Sequence, residues 1–214
     1  SVLFFMIAIF ILKKYLHTKL IYILIPLQVL WANMHGYFIL GPLLTLIVLA
    51  GEFIQTRLPF YHREVPDPKI VRTNFTRLIL LIFLLIGASF INPYTYHGAF
   101  YPIKIMFSSL KGSRIFFENI IELISPIVLH SKYNIDFSFY FILIFLYFFS
   151  FIFNWRRIKI SDFLIWSLLL FFSLRFCRNV MFFTLFSGIV CIENFNDIDE
   201  AFLKKKLIRA PKIN

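Results

Sequence analysis

Four short stretches carry the side chains best suited to chemistry, and each interrupts or ends an apolar run. Trp31-Ala32-Asn33-Met34-His35-Gly36 sets an amide and an imidazole two residues apart, with a glycine that lets the backbone turn. Asn33 and His35 suit a polar substrate or a metal-bound phosphate. The same residues would also serve as an interfacial Trp31 and a capped helix break. Asn92-Pro93-Tyr94-Thr95-Tyr96-His97-Gly98 closes a later run. Asn-Pro terminates helices and Tyr favours interfaces, so Asn92, Tyr94 and His97 either line a site or only end a helix. Arg175 and Arg178 stand three apart, on one helix face or turn, where guanidinium groups can grip a phosphate in a two-pronged way. Their alternative is snorkelling to lipid headgroups. Glu122, one helical turn after Glu118, is a candidate catalytic carboxylate; its alternative is a solvated loop face.

Other chemistries leave no mark. The chain has no P-loop, GxSxG, HExxH or Gly-rich dinucleotide fingerprint. Cys177 and Cys191 lie in apolar surroundings without a CxxC partner, which argues against a disulfide framework, a zinc site or a redox pair. Asn74-Phe75-Thr76 matches a glycosylation sequon, but the orientation derived below places it inside the cell.

The elements that must position these residues follow from composition. The 214 residues are 60% hydrophobic and 15% charged, against about 25% charged in a soluble domain. A surface so poor in charge needs a bilayer as its solvent. The net charge of +11 then marks cytoplasmic loops and contacts with anionic headgroups rather than nucleic acid. Leu20–Gly51 is 32 residues without a formal charge, about 48 Å as one helix, so it is expected to fold into two segments at Asn33–Gly36. The predicted architecture is all-α, a polytopic transmembrane helical bundle over residues 1–193. Its spans are near 1–12, 20–33, 37–55, 78–92, 137–154, 161–175 and 179–193, with an extracytoplasmic loop at 93–133 and a basic cytoplasmic tail at 194–214. The chain starts at Ser1 inside an apolar run, without Met or a charged leader, so earlier spans are expected upstream.

Orientation comes from the basic residues. If 13–19, 56–77, 155–160 and the tail are cytoplasmic, they hold 16 of the 22 Lys and Arg. The three polar breaks at 31–36, 92–97 and 175–179 then share the extracytoplasmic face. Their flanking segments are short for a span, so non-helical backbone would lie below the membrane surface, which requires burial in protein or a water-filled cavity. The two arginines are the only charges expected at membrane depth.

The residues of these breaks resemble a group of bacterial multi-pass proteins related to GT-C-type glycosyltransferases. The pattern W-A-N-x-H-G-x-F-x-x-G followed by an acidic residue is matched by Trp31, Asn33, His35, Gly36, Phe38, Gly41 and Glu52. N-P-Y is matched at Asn92-Pro93-Tyr94, and E-x-x-S-P at Glu122, Ser125 and Pro126. A late R-[HN]-x-P-L-F is matched by Arg178, Asn179 and Phe182, with Met181 where Pro is expected. The resemblance implies a transferase of the bacterial inner membrane and cell envelope that takes sugar from a polyprenyl-phosphate donor on the extracytoplasmic face. It places the catalytic acidic residue in a loop upstream of Ser1. The substrate-lining residues here would be Trp31, Asn33, His35, Asn92, Tyr94, His97, Arg175 and Arg178, with Glu122 as an added carboxylate. No metal ligand set is named, although a divalent cation bound with the donor phosphate stays open. The implied partners are membrane lipid and a lipid-linked sugar donor. Alternatives are an O-antigen ligase- or polymerase-like envelope protein, a transporter, or a non-catalytic membrane subunit.

The orientation is tested by single cysteines placed in a background lacking Cys177 and Cys191. Cysteines at Ser109 and Ser131 are expected to react with an impermeant thiol reagent in intact cells, and one at Thr73 to stay unlabelled. The reverse pattern would overturn the orientation.

Overall fold

The computed structural model describes residues 1–57, 68–110, 120–155 and 157–209. Among these residues every regular element is helical. The α-helices are α1 Val2–Tyr15, α2 Leu24–Met34, α3 Leu40–Arg57, α4 Pro68–Ser89, α5 Thr95–Leu110, α6 Pro126–Tyr133, α7 Ser138–Phe153, α8 Ile160–Arg175 and α9 Val180–Arg209. Short 3-10 turns at Lys19–Ile23, Gly36–Ile39, Ile121–Leu123 and Cys177–Asn179 join several of them.

Local chemistry explains where the helices stop. Lys13 and Lys14 occupy the last turn of α1, where cations complement the helix dipole. The expected break at Asn33–Gly36 is present: His35 is extended, with φ −163 and ψ 143, and separates α2 from the next turn. Ser125 caps α6 by accepting a bond from the Val128 amide, and Pro126 follows in the first turn, where its missing N–H costs nothing. Asn134 ends α6 in the left-handed conformation at φ 53. Two helices extend beyond their apolar runs. α4 begins at Pro68, ten residues before the expected span, because Asn74 is buried against His17 and anchors this polar part of the helix. α9 continues to Arg209 through a segment expected as a polar tail. Residues 194–209 contain neither Gly nor Pro and include the good helix formers Ala, Leu and Lys.

Helices α1, α2, α3, α4, α7, α8 and α9 run alternately up and down. One end of the bundle gathers residues 33–39, 89–97, 120–126 and 175–179. The opposite end gathers 13–19, 51–57, 69–77, 154–155, 157–162 and 193–197. α3 packs on α4 and α8, α9 on α7 and α8, and α2 on α4, with α1 touching α2, α3 and α9. Phe5, Ile9, Trp31, Leu44, Phe183 and Phe186 are fully buried between them. The outside is apolar as well: Phe83 on α4 and Phe139, Phe145 and Phe153 on α7 are all more than 60% exposed. Among the described residues two helical stretches, Gly36–Arg57 and Lys69–Ser89, are long and apolar enough to cross a membrane. Lys19–Met34 and Ser138–Phe153 are apolar but shorter.

The buried charge is not where the sequence placed it. Arg175 and Arg178 are exposed. At the opposite end, Lys13 Nζ lies 2.8 Å from Asp162 Oδ2 and 2.7 Å from Glu193 Oε2, joining α1, α8 and α9. The Asp162 side chain is only 7% exposed. It sits in the first turn of α8, where the dipole favours an anion, and the long Lys13 stem reaches it from α1. A neutral network adjoins it between α7 and α9: Asn194 Nδ2 donates to Ser150 Oγ at 3.1 Å, and Asn154 Nδ2 to Asn194 Oδ1 at 3.0 Å.

Helices α3 and α8 approach closely at Gly51. A Cβ there would stand 2.5 Å from the Ser161 backbone of α8, whereas a Cβ at Gly87 would meet open space. Gly51→Ala is therefore expected to destabilise the fold by about 1–3 kcal/mol through forced separation of α3 and α8. Gly87→Ala in α4 is expected to be neutral or stabilising by about 0.5–1 kcal/mol. Thermal unfolding of the two variants in detergent checks the contrast, and equal melting temperatures would refute it.

Candidate functional site

Two chain breaks meet through Tyr37, and a third joins them through backbone. The residue lies in the Gly36–Ile39 turn, and its hydroxyl donates to Asn179 Oδ1 at 2.8 Å, across to the Cys177–Asn179 turn. Asn179 is buried and donates in turn to the Phe172 carbonyl at 3.2 Å, so the α8–α9 connection is fixed from both sides. The Arg178 guanidinium lies 5.0 Å from the centroid of the Tyr37 ring, a cation–π contact. The His35 imidazole stacks on the same ring, with centroids 5.4 Å apart and planes at 15°. The third break joins through backbone: the Cys177 amide donates to the Ile124 carbonyl at 2.9 Å. That bond brings Glu122 close enough to act electrostatically on both Tyr37 and Cys177.

The charges follow from this geometry. His35 Nδ1 accepts the Tyr37 backbone N–H at 3.3 Å. Burial first, and then the Arg178 guanidinium, push the His35 pKa below its ordinary value, which favours the neutral ring at pH 7. The Cys177 thiol is pushed up, first by burial and then by Glu122, so it stays protonated and is a poor nucleophile. Around Tyr37 the arrangement is therefore one exposed guanidinium, one neutral imidazole, one carboxylate and a phenol. Such a set can hold an oxyanion and offers a base at its edge.

The other expected site residues divide between this cluster and its support. Asn33 Nδ2 donates to the Val29 carbonyl at 2.8 Å and to the Ile91 carbonyl at 2.7 Å, which ties the end of α2 to the end of α4. Asn92 shapes its own turn: Oδ1 accepts from the Tyr94 amide at 2.8 Å, and Nδ2 donates to the carbonyls of Ser89 and Thr95. Gly98 makes room for it, since a Cβ there would stand 2.2 Å from Asn92 Oδ1. Thr95 holds a positive φ of 48 in the same turn. Tyr94 and His97 are exposed beside it, with the His97 ring packed on Tyr96 at 4.0 Å. Trp31 faces inward at 1% exposure, stacked on Phe4, and donates to Ser1 Oγ at 3.2 Å. Arg175 is exposed at the end of α8 and makes no hydrogen bond or ion pair with another described residue. Glu52 is twelve residues along α3 from Leu40, about 18 Å at helical rise, and so belongs to the opposite end. Glu118 lies outside the described residues.

Two residues that sequence reasoning passed over matter here. Tyr37 is the hub. Gln28 is buried in α2, and its Nε2 donates at 2.9 Å to both the Phe38 carbonyl and Ser89 Oγ, fastening the Gly36–Ile39 turn to α2 and α4. Gly41 admits it, because a Cβ there would stand 2.1 Å from Gln28 Oε1. Gln28 and Gly41 also line a cavity of ≈ 10 Å³ with Ala8, Leu24, Leu27, Trp31 and Leu85, at the lower limit for one water. The signal in the sequence was one amide inside an otherwise apolar run. Gly36, by contrast, faces open space and shows no positive φ, so the turn does not depend on its being glycine.

Among the described residues no group of three or more His, Cys, Asp or Glu side chains is placed to hold a metal ion. Comparison with known families, characterised proteins and solved structures found no match to this chain.

Tyr37→Phe keeps the ring beneath Arg178 and His35 but removes the donor to Asn179. Leaving that buried amide oxygen without its partner is expected to cost about 1–3 kcal/mol. The check is denaturant unfolding in detergent. A variant as stable as the wild type would show that the Tyr37–Asn179 bond does not hold the two turns together.

Proposed function

We propose that the chain is part of a multi-pass bacterial inner-membrane glycosyltransferase of the GT-C type, which takes sugar from a polyprenyl-phosphate donor on the extracytoplasmic face. The observation that carries this reading is the Arg178–Tyr37–His35 arrangement. It is an exposed guanidinium held over an aromatic ring beside a neutral imidazole, at the end of the bundle where the chain breaks converge. The membrane part of the proposal is supported by Gly36–Arg57, Lys69–Ser89 and the outward-facing phenylalanines of α4 and α7. Its orientation is supported by the basic residues 13–19 and 69–77, which share the bundle end opposite the cluster.

In this reading the donor phosphate sits against Arg178, with Arg175 nearby on the final turn of α8. As the acceptor oxygen bonds to the sugar's anomeric carbon, the bond from that carbon to the phosphate oxygen breaks and its electrons pass to the phosphate. A preorganised guanidinium stabilises the charge that develops there. Asn33, Asn92 and Gln28 act behind this surface, fixing the turns that carry His35 and Tyr37. Glu122, near enough to act electrostatically on Tyr37, is in this reading an added carboxylate beside the catalytic acidic residue expected upstream of Ser1.

The test is Arg178→Lys. Lysine keeps the charge but lacks the planar fork that matches phosphate oxygens. A lost charge-assisted hydrogen bond costs about 1.5–3 kcal/mol, so glycosyl transfer by the protein in its membranes is expected to fall roughly ten- to a hundred-fold. Arg178→Ala is expected to fall at least as far. Wild-type rates for the lysine variant at normal expression would reduce Arg178 to a headgroup anchor and remove the support for this function.

A further inference from the structure

The outer surface has a measurable height, because its exposed apolar residues form stripes that end at polar or charged groups. On α8, Phe163 and Phe171 are exposed on one face, and the next residue on that face is the exposed Arg175. Asp162 lies just before the stripe, thirteen helical steps from Arg175, a rise of about 20 Å. On α9 the exposed Met181, Leu185 and Ile192 lie between Arg178 and Glu193, and their eleven steps rise about 17 Å. On α7 the stripe from Phe139 to Phe153 rises about 21 Å, with exposed Asp136 before it and buried Asn154 after it. On α4 the charge-free part, residues 78–89, rises about 17 Å.

These heights agree near 20 Å, whereas the hydrocarbon core of a typical bilayer is about 30 Å thick. Neither side-chain reach nor tilt closes that gap. An arginine can snorkel toward water, but the Asp162 and Glu193 carboxylates are short and held by Lys13 at 2.8 Å and 2.7 Å. Tilting a helix only lowers the height it covers. The short stripes are also not confined to one helix pair, since α4 packs on α2 and α3 while α7 packs on α9. A bilayer answers a short apolar surface by thinning. We propose that the lipid partner of this protein is a thinned bilayer, whose hydrocarbon core around the bundle is about 10 Å below the usual thickness. The proposal rests on the multi-pass membrane reading and is independent of the chemistry around Tyr37. It also accounts for apolar helices, such as Ser138–Phe153, that are shorter than an ordinary span.

The test needs no variant. The full chain is reconstituted into vesicles of phosphatidylcholine whose monounsaturated chains have fourteen, eighteen or twenty-two carbons, and its thermal unfolding is followed by circular dichroism. The melting temperature is expected to be highest with fourteen carbons and to fall with each lengthening, because the mismatch grows with every added carbon. Equal melting across the series, or a maximum at eighteen or twenty-two carbons, would overturn the proposal and leave the membrane reading standing. A second measurement looks at the lipid itself. In stacked eighteen-carbon bilayers, the headgroup-to-headgroup thickness found by X-ray diffraction is expected to decrease as the protein content rises. An unchanged or increased thickness would also overturn the proposal. A chain that stays in the aqueous phase and joins vesicles of no chain length would sink the membrane reading, and the proposal with it. Neither measurement depends on sugar transfer, so loss of the glycosyltransferase reading alone would leave the thinned bilayer in place.

Discussion

Every helix that ends inside an apolar bundle leaves backbone groups needing partners, and supplying those partners organises this molecule. An unpaired buried amide or carbonyl costs as much as a hydrogen bond lost outright. Here amide side chains fill the need. Asn33 serves the Ile91 carbonyl, Gln28 serves the Phe38 carbonyl, and Asn179 serves the Phe172 carbonyl. The backbone itself bridges Cys177 and Ile124. Asn33, Tyr37 and the Cys177 amide each tie one break to another, so the breaks at this end support one another.

That requirement also separates residues that build the site from residues that face it. Asn33, Asn92 and Gln28 have side-chain amides directed at nearby backbone. Arg178 and His35 are exposed, and Tyr37 is shared: its hydroxyl holds Asn179 while its ring carries the two exposed groups. A polar residue at a helix break in an apolar chain is therefore not by itself a ligand contact. Asn92 shows this well, because its oxygen and nitrogen are both spent within four residues of its own position.

Much of the architecture was legible because charge and apolar length are local properties. The helical class, the fold at Asn33–Gly36 and the gathering of the polar breaks at one end all follow from where charges and glycines interrupt apolar runs. The early start of α4 was hidden because it depends on Asn74 meeting His17, which is fifty-seven residues away. The buried triad of Lys13, Asp162 and Glu193 was hidden for the same reason: each residue alone reads as an ordinary helix-end charge. At the site, sequence patterns picked out His35 and Arg178 but gave no reason to single out Tyr37. Its importance comes from two contacts in the Cys177–Asn179 turn, more than a hundred residues further on.

The two ends of the bundle resolve their charges in opposite ways, and the contrast bears on what each can do. At the basic end, Lys13 is enclosed by two carboxylates, so its electrostatic demand is met within the protein. Breaking such a pair on one side strands a poorly solvated charge, at a cost of about 3–5 kcal/mol when burial is complete and less for Lys13, whose side chain is 16% exposed. This end is built to stay closed. Around Tyr37 the balance is different, because Arg178 has an aromatic face rather than a carboxylate within ion-pair distance among the described residues, and Arg175 adds a second exposed cation at the end of α8. A quadrupole attracts a guanidinium without neutralising it. The cation therefore keeps its demand for an anion.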